Sequence, residues 1–386
     1  MRTPIKKIFT FDPFEEKKER QIHQVQNLIW GEWTKELREN EEILDPVSGE
    51  IFLRVPNTTD FSEYIKNFDR CPKSGLHNPI KNPDRYLMLG EVSRNASRIL
   101  KEKSVEQYFC KLIQRVMPKS KSQCLGEVEV TRVFLENFSG DNVRFLARSF
   151  SNPGNYLGQE TSGYRWPFGS VCIIAPFNFP LEIPVLQVMG ALFMGNRPLV
   201  KVDSKVSVVF EQFLRLLIHC GLPASDIDFI NCKGEVMGEL VKRSKNQIRL
   251  LQFTGSKEIA QRLSLETFGK IKIEDAGFDW KIIGPDYDPK WAKHVAWQCD
   301  EDAYNASGQK CSAQSFLFVH KNWEKDLLPR LKELASERKL ENLGIGPILT
   351  WTNQQITEHI DCLLTIPGSR ILFGGKKLLN NTIPPI

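Results

Sequence analysis

From residue 168 onward, apolar and polar positions fall into a repeating alternation. "GSVCIIAPF" (169–177) is a β-branched run leading into proline, the pattern of a strand buried on both faces of a parallel sheet. After a proline-laced turn, "VLQVMGALFMG" predicts a helix that stops at Gly195. "PLVKVD" is the next strand, and "VSVVFEQFLRLLIHCG" the next helix, closed by Gly221. "DIDFIN", "VMGELVKRS", "QIRLLQF" and "SKEIAQRLSLETFG" continue the series. Four strands and four helices in alternation predict an α/β fold, a doubly wound Rossmann-like parallel sheet. Such a sheet takes ligands beyond the carboxyl ends of its strands, which suggests nucleotide binding.

The first 165 residues are less legible. They mix charges, carry the turn-rich "DPVSGE" at 45–50, and show helical periodicity around "RYLMLGEVSRNASRILKEK". With 386 residues and 41% hydrophobic content, the chain can bury a large core as two domains or one large one. Fifty-two basic against 47 acidic side chains leave a net charge of +5, interspersed throughout, so no nucleic-acid partner is expected. The longest apolar stretch, 171–195, is interrupted by Asn178, Glu182 and prolines 176, 180 and 184, and it predicts no membrane helix. The opening "MRTPIKKIFTFDPFEEKKER" reaches Asp12, Glu15 and Glu16 early and makes a poor signal or transit peptide.

Nine cysteines form no CxxC pair and no Cys/His cluster with zinc spacing, so no metal is expected and the thiols suit a reducing compartment. One of them stands apart. In "NASGQKCSAQ" (305–314), Cys311 has small and polar neighbours, and the apolar run begins only at Phe316. That setting asks for a chemical reason as well as a packing one, with a structural loop thiol as the alternative. The dinucleotide fingerprint GxGxxG is absent. In its place "QIRLLQF" runs into "TGSKEIA", where Gly255 permits a tight turn and Ser256 opens a helix whose N–H groups face a phosphate. Helix capping by Thr254 or Ser256 explains the same letters equally well.

Taken together, "APFNFP", "LVKVDSK", "FTGSKEIA", "IEDAGFDWK" and "SGQKCSAQ" occur in an order and spacing that resemble the aldehyde dehydrogenase superfamily. "GYRWPFG", "FNFPLEIP", "KVDSKVS", "EDAGFDWK" and "IGPILT" are similar to its family 12, the plant-type Δ1-pyrroline-5-carboxylate dehydrogenases, from about residue 45 to the last residue. The resemblance implies an NAD-binding domain with an N-terminal helical region over 1–273. It implies a catalytic domain over 274–386, incomplete at its C-terminal end because relatives continue past "LFGGKKLLNNTIPPI" with further cofactor, substrate-anchor and assembly segments. The implied activity is NAD-dependent oxidation of an aldehyde, L-glutamate γ-semialdehyde, to its acid in proline catabolism. The family implies a homo-oligomer for its full-length members, and the mitochondrial matrix as compartment, with the cytoplasm as the alternative.

The same resemblance distributes roles. Cys311 is the nucleophile, because a thiolate attacks a carbonyl readily and later leaves. Asn178 stabilises the oxyanion beside the backbone N–H of Cys311. Glu274 activates the hydrolytic water, with Asp275 as the second carboxylate in line. Asp275, Ala276 and Phe278 depart from the superfamily's Glu-Leu-Gly-Gly-Lys, but family 12 reads as this chain does. Lys201 contacts the adenosine ribose, Pro176 and Phe177 belong to the cofactor turn, and Phe253, Thr254, Gly255 and Ser256 form the turn near the pyrophosphate. Ser204 stands where relatives outside this branch often carry a ribose-gripping glutamate, which leaves rejection of NADP open. Two rival readings remain: the same chemistry on another aldehyde, or a non-catalytic chain that binds nucleotide or pairs with full-length subunits.

Overall fold

In the computed structural model, which describes residues 5–14, 22–34 and 39–375, the alternation becomes a seven-stranded sheet. The leader reading and the reading of the chain's end rest in part on residues 1–4, 15–21 and 376–386, outside the described residues. The chain divides into two compact units: Met1–Ile43, Phe52–Leu112 and Gly126–Asp275 in the first, and Leu44–Ile51, Ile113–Leu125 and Ala276–Ile386 in the second.

In the first unit, β1 (Asn27–Ile29) and β2 (Glu32–Thr34) form a short hairpin, followed by the long helix α1 (Asp84–Leu100). The alternating segment then runs β3 (Ser170–Ala175), α2 (Glu182–Phe193), β4 (Arg197–Val202), α3 (Ser207–His219), β5 (Asp228–Phe229), α4 (Gly234–Arg243), β6 (Leu250–Thr254), α5 (Lys257–Glu266) and β7 (Ile271–Glu274). The strand order is β7-β6-β3-β4-β5-β1-β2, with β3 to β7 parallel and β1 antiparallel to β5. The doubly wound α/β reading therefore holds, and a fifth parallel strand and an N-terminal hairpin extend it. Gly195 ends the turn after α2 in the left-handed region (φ +83°), and a Cβ there would lie 2.0 Å from the His77 carbonyl oxygen.

"DIDFIN" forms only a two-residue strand, although the Ile230 N–H still donates to the Val200 carbonyl at 2.9 Å. Its first residue, Asp228, serves another purpose. The carboxylate accepts both arms of the Arg197 guanidinium at 2.7 and 2.9 Å, the Asn67 amide at 3.0 Å and the Trp30 backbone N–H at 2.8 Å. Arg197 and Asp228 are 2% and 1% exposed, and the Trp30 ring lies 4.4 Å from the guanidinium carbon. A buried charge pair survives only when its remaining hydrogen-bonding capacity is filled, as it is here.

In the second unit, β8 (Asp279–Ile283) and β9 (Gln314–Val319) pair in parallel across the helix α6 (Ala292–Tyr304), and α7 (Glu324–Glu337) and α8 (Asn353–Leu364) follow. Alternation along the strands splits the pair into two faces. Ile283, Leu317 and Val319 pack against Ala292, Ala296, Trp323 and Leu327. On the opposite face Trp280, Ile282, Phe316 and Phe318 are about half exposed or more. Among the described residues no helix is long and apolar enough to cross a membrane, and no group of three or more His, Cys, Asp or Glu is placed to hold a metal ion.

His77 supplies a pH test of the first unit. It is fully buried, its Nε2–H donates to the Phe193 carbonyl at 3.1 Å, and its ring meets Tyr86 edge-on. Burial pushes its pKa down to about 4 from an ordinary 6.5. A folded pKa below the unfolded one means the folded state binds fewer protons, so this contribution is complete above pH 6.5 and is lost as pH falls toward 4. Urea unfolding at pH 7.5 and pH 4.5 should therefore show a smaller acid loss in His77→Gln than in the parent. Equal losses in the two would place the acid sensitivity elsewhere.

Candidate active site

The winding of the sheet sets where a ligand can sit. Helices α4 and α5 bury Met237, Leu240 and Leu263 against Cys172, Leu199 and Leu251, whereas α2 packs on β3 and β4 without joining that cluster, from the other face. The winding reverses between the neighbouring strands β3 and β6. In sheets of this kind ligands sit beyond the carboxyl ends of the two strands at which the winding reverses.

Sequence-predicted residues gather there. Pro176, Phe177 and Asn178 form the turn that follows β3, and the Oδ1 of Asn178 accepts the Phe179 N–H at 3.1 Å. Lys201 lies one residue from the end of β4 and is half-buried, and Ser204 opens a 3-10 turn behind it. Phe253 and Thr254 close β6, followed by Gly255 and Ser256 ahead of α5. Glu274 ends β7 opposite Thr254, is exposed, and its carbonyl accepts the Gly255 N–H at 3.1 Å.

Two local expectations change. Ser256 occupies the cap position of α5 but makes no side-chain capping bond, and the Thr254 hydroxyl instead accepts the Gln187 Nε2–H at 2.8 Å. Capping therefore does not account for these residues. Gly255 is not left-handed; its reason is space, since a Cβ would stand 2.6 Å from the Phe253 ring.

Three further residues brace the turns at these carboxyl ends. Gln187, on α2, ties that helix to the end of β6 through Thr254. The buried carboxylate of Glu127 accepts the Leu181 and Glu182 N–H groups at 2.8 and 3.1 Å, so the helix after the Asn178 turn is capped by a residue more than fifty positions away. Lys205 bonds Asp203 and lies 6.0 Å from the Phe177 ring centre. No local signal marks Glu127, whereas Gln187 was readable as a polar residue inside an otherwise apolar helix.

Cys311 belongs to the second unit, in the turn before β9. None of the nine cysteines is in a disulfide, and seven are buried. Burial raises the pKa of Cys172, and pushes Cys220 and Cys232 up to about 12 and about 11, which keeps these thiols protonated and inert. Cys311 is half-buried and Cys362 exposed. The loop leading to Cys311 is strained. Ala306, Ser307 and Gly308 are all left-handed, at φ 50°, 57° and 78°, which costs on the order of 1–2 kcal/mol for each non-glycine residue.

Side chains hold that loop in place. Gln123 Oε1 accepts the Ala306 N–H at 3.0 Å. Gln309 donates to the Ala306 and Pro347 carbonyls at 3.1 Å each and accepts the Leu349 N–H at 2.8 Å. Gln309 was visible in "SGQKC" only as a neighbour; its two-sided amide is what joins the loop to "IGPIL". From the other side Gly277 closes on the same segment, because a Cβ there would lie 2.0 Å from the Cys311 carbonyl oxygen.

Comparison with known proteins gives a consistent answer. The model of the family described as "Aldehyde dehydrogenase family" matches residues 33–384. The chain is 55% identical over 366 residues to the Arabidopsis thaliana protein named "Delta-1-pyrroline-5-carboxylate dehydrogenase 12A1, mitochondrial", which covers 94% of this chain and 65% of that one. It is 54% identical to a "Probable aldehyde dehydrogenase" of Linum usitatissimum, over 94% of this chain and 66% of the relative. The chain thus spans just under two thirds of these relatives' length. Among solved structures, the methylmalonate-semialdehyde dehydrogenase of Oceanimonas doudoroffii superposes with a TM-score of 0.81 at 18% identity, over 94% of this chain and 74% of that one.

The Gly277 contact can be tested directly. In Gly277→Ala the added methyl must push the Cys311 backbone aside, and overpacking of this kind costs about 1–3 kcal/mol, or roughly 1–4 °C in melting temperature for a chain of this size. A calorimetric melting temperature equal to the parent's would show that the segment yields freely.

Proposed function

Because the chain belongs to the aldehyde dehydrogenase family, we propose that it carries out NAD-dependent oxidation of an aldehyde to its acid through a cysteine thioester, with L-glutamate γ-semialdehyde as the substrate. The observation that carries this reading is the placement of Asn178, the 254–256 turn and Glu274 at the carboxyl ends of the neighbouring strands β3, β6 and β7, where the sheet's winding reverses. The name of the 55%-identical Arabidopsis relative supports the substrate, and its stated mitochondrial location supports the matrix as compartment. Assembly as a homo-oligomer and the division into a cofactor domain over 1–273 and a catalytic domain over 274–386 belong to the same proposal.

The residues present fit the cofactor. Gly255 keeps the β6 turn clear of side chain, the α5 backbone beyond it offers N–H groups uncapped by Ser256, and Lys201 brings a cation to the end of β4. Pro176 and Phe177 line the facing turn, and Ser204, without negative charge, gives little ground for rejecting a 2′-phosphate. When bound, NAD accepts the hydride that leaves the aldehyde carbon.

The chain's own residues perform the remaining steps. The Cys311 thiolate forms a C–S bond to the carbonyl carbon while the C=O electron pair moves onto oxygen. Asn178 donates its amide N–H to that oxygen, where a preorganised donor is worth about 3–4 kcal/mol. Loss of hydride restores C=O as a thioester on Cys311. Glu274 then takes a proton from water, whose oxygen adds to the acyl carbon, and the C–S bond breaks to return the thiolate. Exposure of Glu274 at the strand end gives it access to water.

Cys311→Ala should abolish NADH formation from the semialdehyde and leave NAD affinity within about threefold of the parent's; full turnover in this variant would remove Cys311 from the mechanism. Glu274→Gln should release about one NADH per active site in a burst and then stall as the thioester. If stopped-flow absorbance shows no burst, the carboxylate acts before hydride transfer, or Asp275 holds the role.

A further inference from the structure

Arg338 follows α7 and is a hub in the second unit. Its guanidinium meets the Asp300 carboxylate through Nε at 3.0 Å and Nη2 at 2.5 Å, and Glu301 through Nη2 at 2.7 Å. It lies 4.8 Å from the Tyr304 ring centre and donates through Nη1 to the Gly344 carbonyl at 3.3 Å. Asp300, Glu301 and Tyr304 belong to the last turns of α6, the helix that runs into the strained 305–308 loop. Gly344 belongs to the strap 339–349, which holds that loop from outside.

The strap has neither helix nor strand of its own. It doubles back on the Lys339 carbonyl through the Gly344 and Ile345 N–H groups at 3.1 and 3.5 Å, with Leu343 left-handed at φ 54°. Beyond that turn it delivers the Gly346 N–H to Ser307 Oγ at 2.7 Å and the Leu349 N–H to Gln309 at 2.8 Å. Consecutive left-handed residues persist only where their surroundings over-determine them. The strap is one of those constraints, and its own position is fixed at its root by Arg338.

We propose that Arg338 is a positioning residue for the nucleophile loop: by tying the strap to the end of α6, it fixes the strained residues 306–308 and hence the site of Cys311. The proposal rests on the reading of Cys311 as nucleophile. Arg338 touches neither the thiol nor any reacting atom, and it acts through Gly344, Gly346 and Ser307. A planar fork is needed for this, because one group must hold two carboxylates on α6 and a carbonyl on the strap at once.

Hydrogen exchange on the 386-residue chain tests the idea without requiring turnover. In Arg338→Met, amides in the 305–311 peptide should exchange about tenfold faster or more, while the β9 peptide 314–319 keeps the parent's rate. Arg338→Lys, which keeps the charge but not the fork, should fall between parent and Met variant. Equal acceleration in both peptides, or none in 305–311, overturns the positioning role, since general destabilisation does not single out the loop. If the Met variant does not fold, the Lys variant decides by the same comparison of the two peptides. Alkylation of the parent by iodoacetamide separates the underlying reading: Cys311 reacting no faster than the exposed Cys362 defeats the nucleophile assignment, whatever the exchange result.

Discussion

The first unit is organised around one buried charge pair, Arg197 with Asp228. Each side chain sits at the first residue of a parallel strand, so the pair fixes the stagger of β4 and β5 at their amino ends. Asn67 brings the helix Ser62–Arg70 to the same carboxylate, and the Trp30 N–H brings the β1–β2 turn. Removing one partner of such a pair leaves an uncompensated charge and typically costs about 3–5 kcal/mol. Register at the amino ends carries through to the carboxyl ends, where a slip by one residue would turn Lys201 to the opposite face. The cofactor-side geometry therefore depends on a contact at the opposite, amino ends of the strands.

Much of this was legible in the sequence, for a physical reason. Parallel strands buried on both faces must be almost wholly apolar, and "GSVCIIAPF" or "PLVKVD" announces itself by composition alone. The hairpin Asn27–Thr34 and the strand Ile271–Glu274 were missed because they lie at or near sheet edges, where one side faces solvent and the run is short and mixed. "DIDFIN" promised six residues of strand, but Asp228 turns its side chain to the ion pair and the ladder is brief.

The candidate site shows the same division. Cys311 stood out by its small, polar neighbours, whereas Asn178, Glu274 and the 253–256 turn took their roles from the family resemblance, whose motifs are local words at the ends of elements. What supports them could not be named in this way. Glu127 caps α2 from a separate helix, and Gln123 and Arg338 act on the 305–309 loop from distant parts of the chain. Such partners carry no local signal, since the need they meet arises only once the chain has folded. Remote capping also frees the "FNFP" turn from supplying its own helix cap, so prolines and phenylalanines can occupy it.

The hairpin β1–β2 has a consequence for synthesis. Asn27 bonds to Asn231, 204 positions away, and Leu28 pairs with Phe229. At ribosomal rates of about 5–20 residues per second, the hairpin waits roughly 10–40 s for the strand that completes its ladder. Throughout that interval Val25 and Leu28, both fully buried once folding is done, lack the strand and packing that cover them. The sheet therefore cannot close until more than half of the chain has been made.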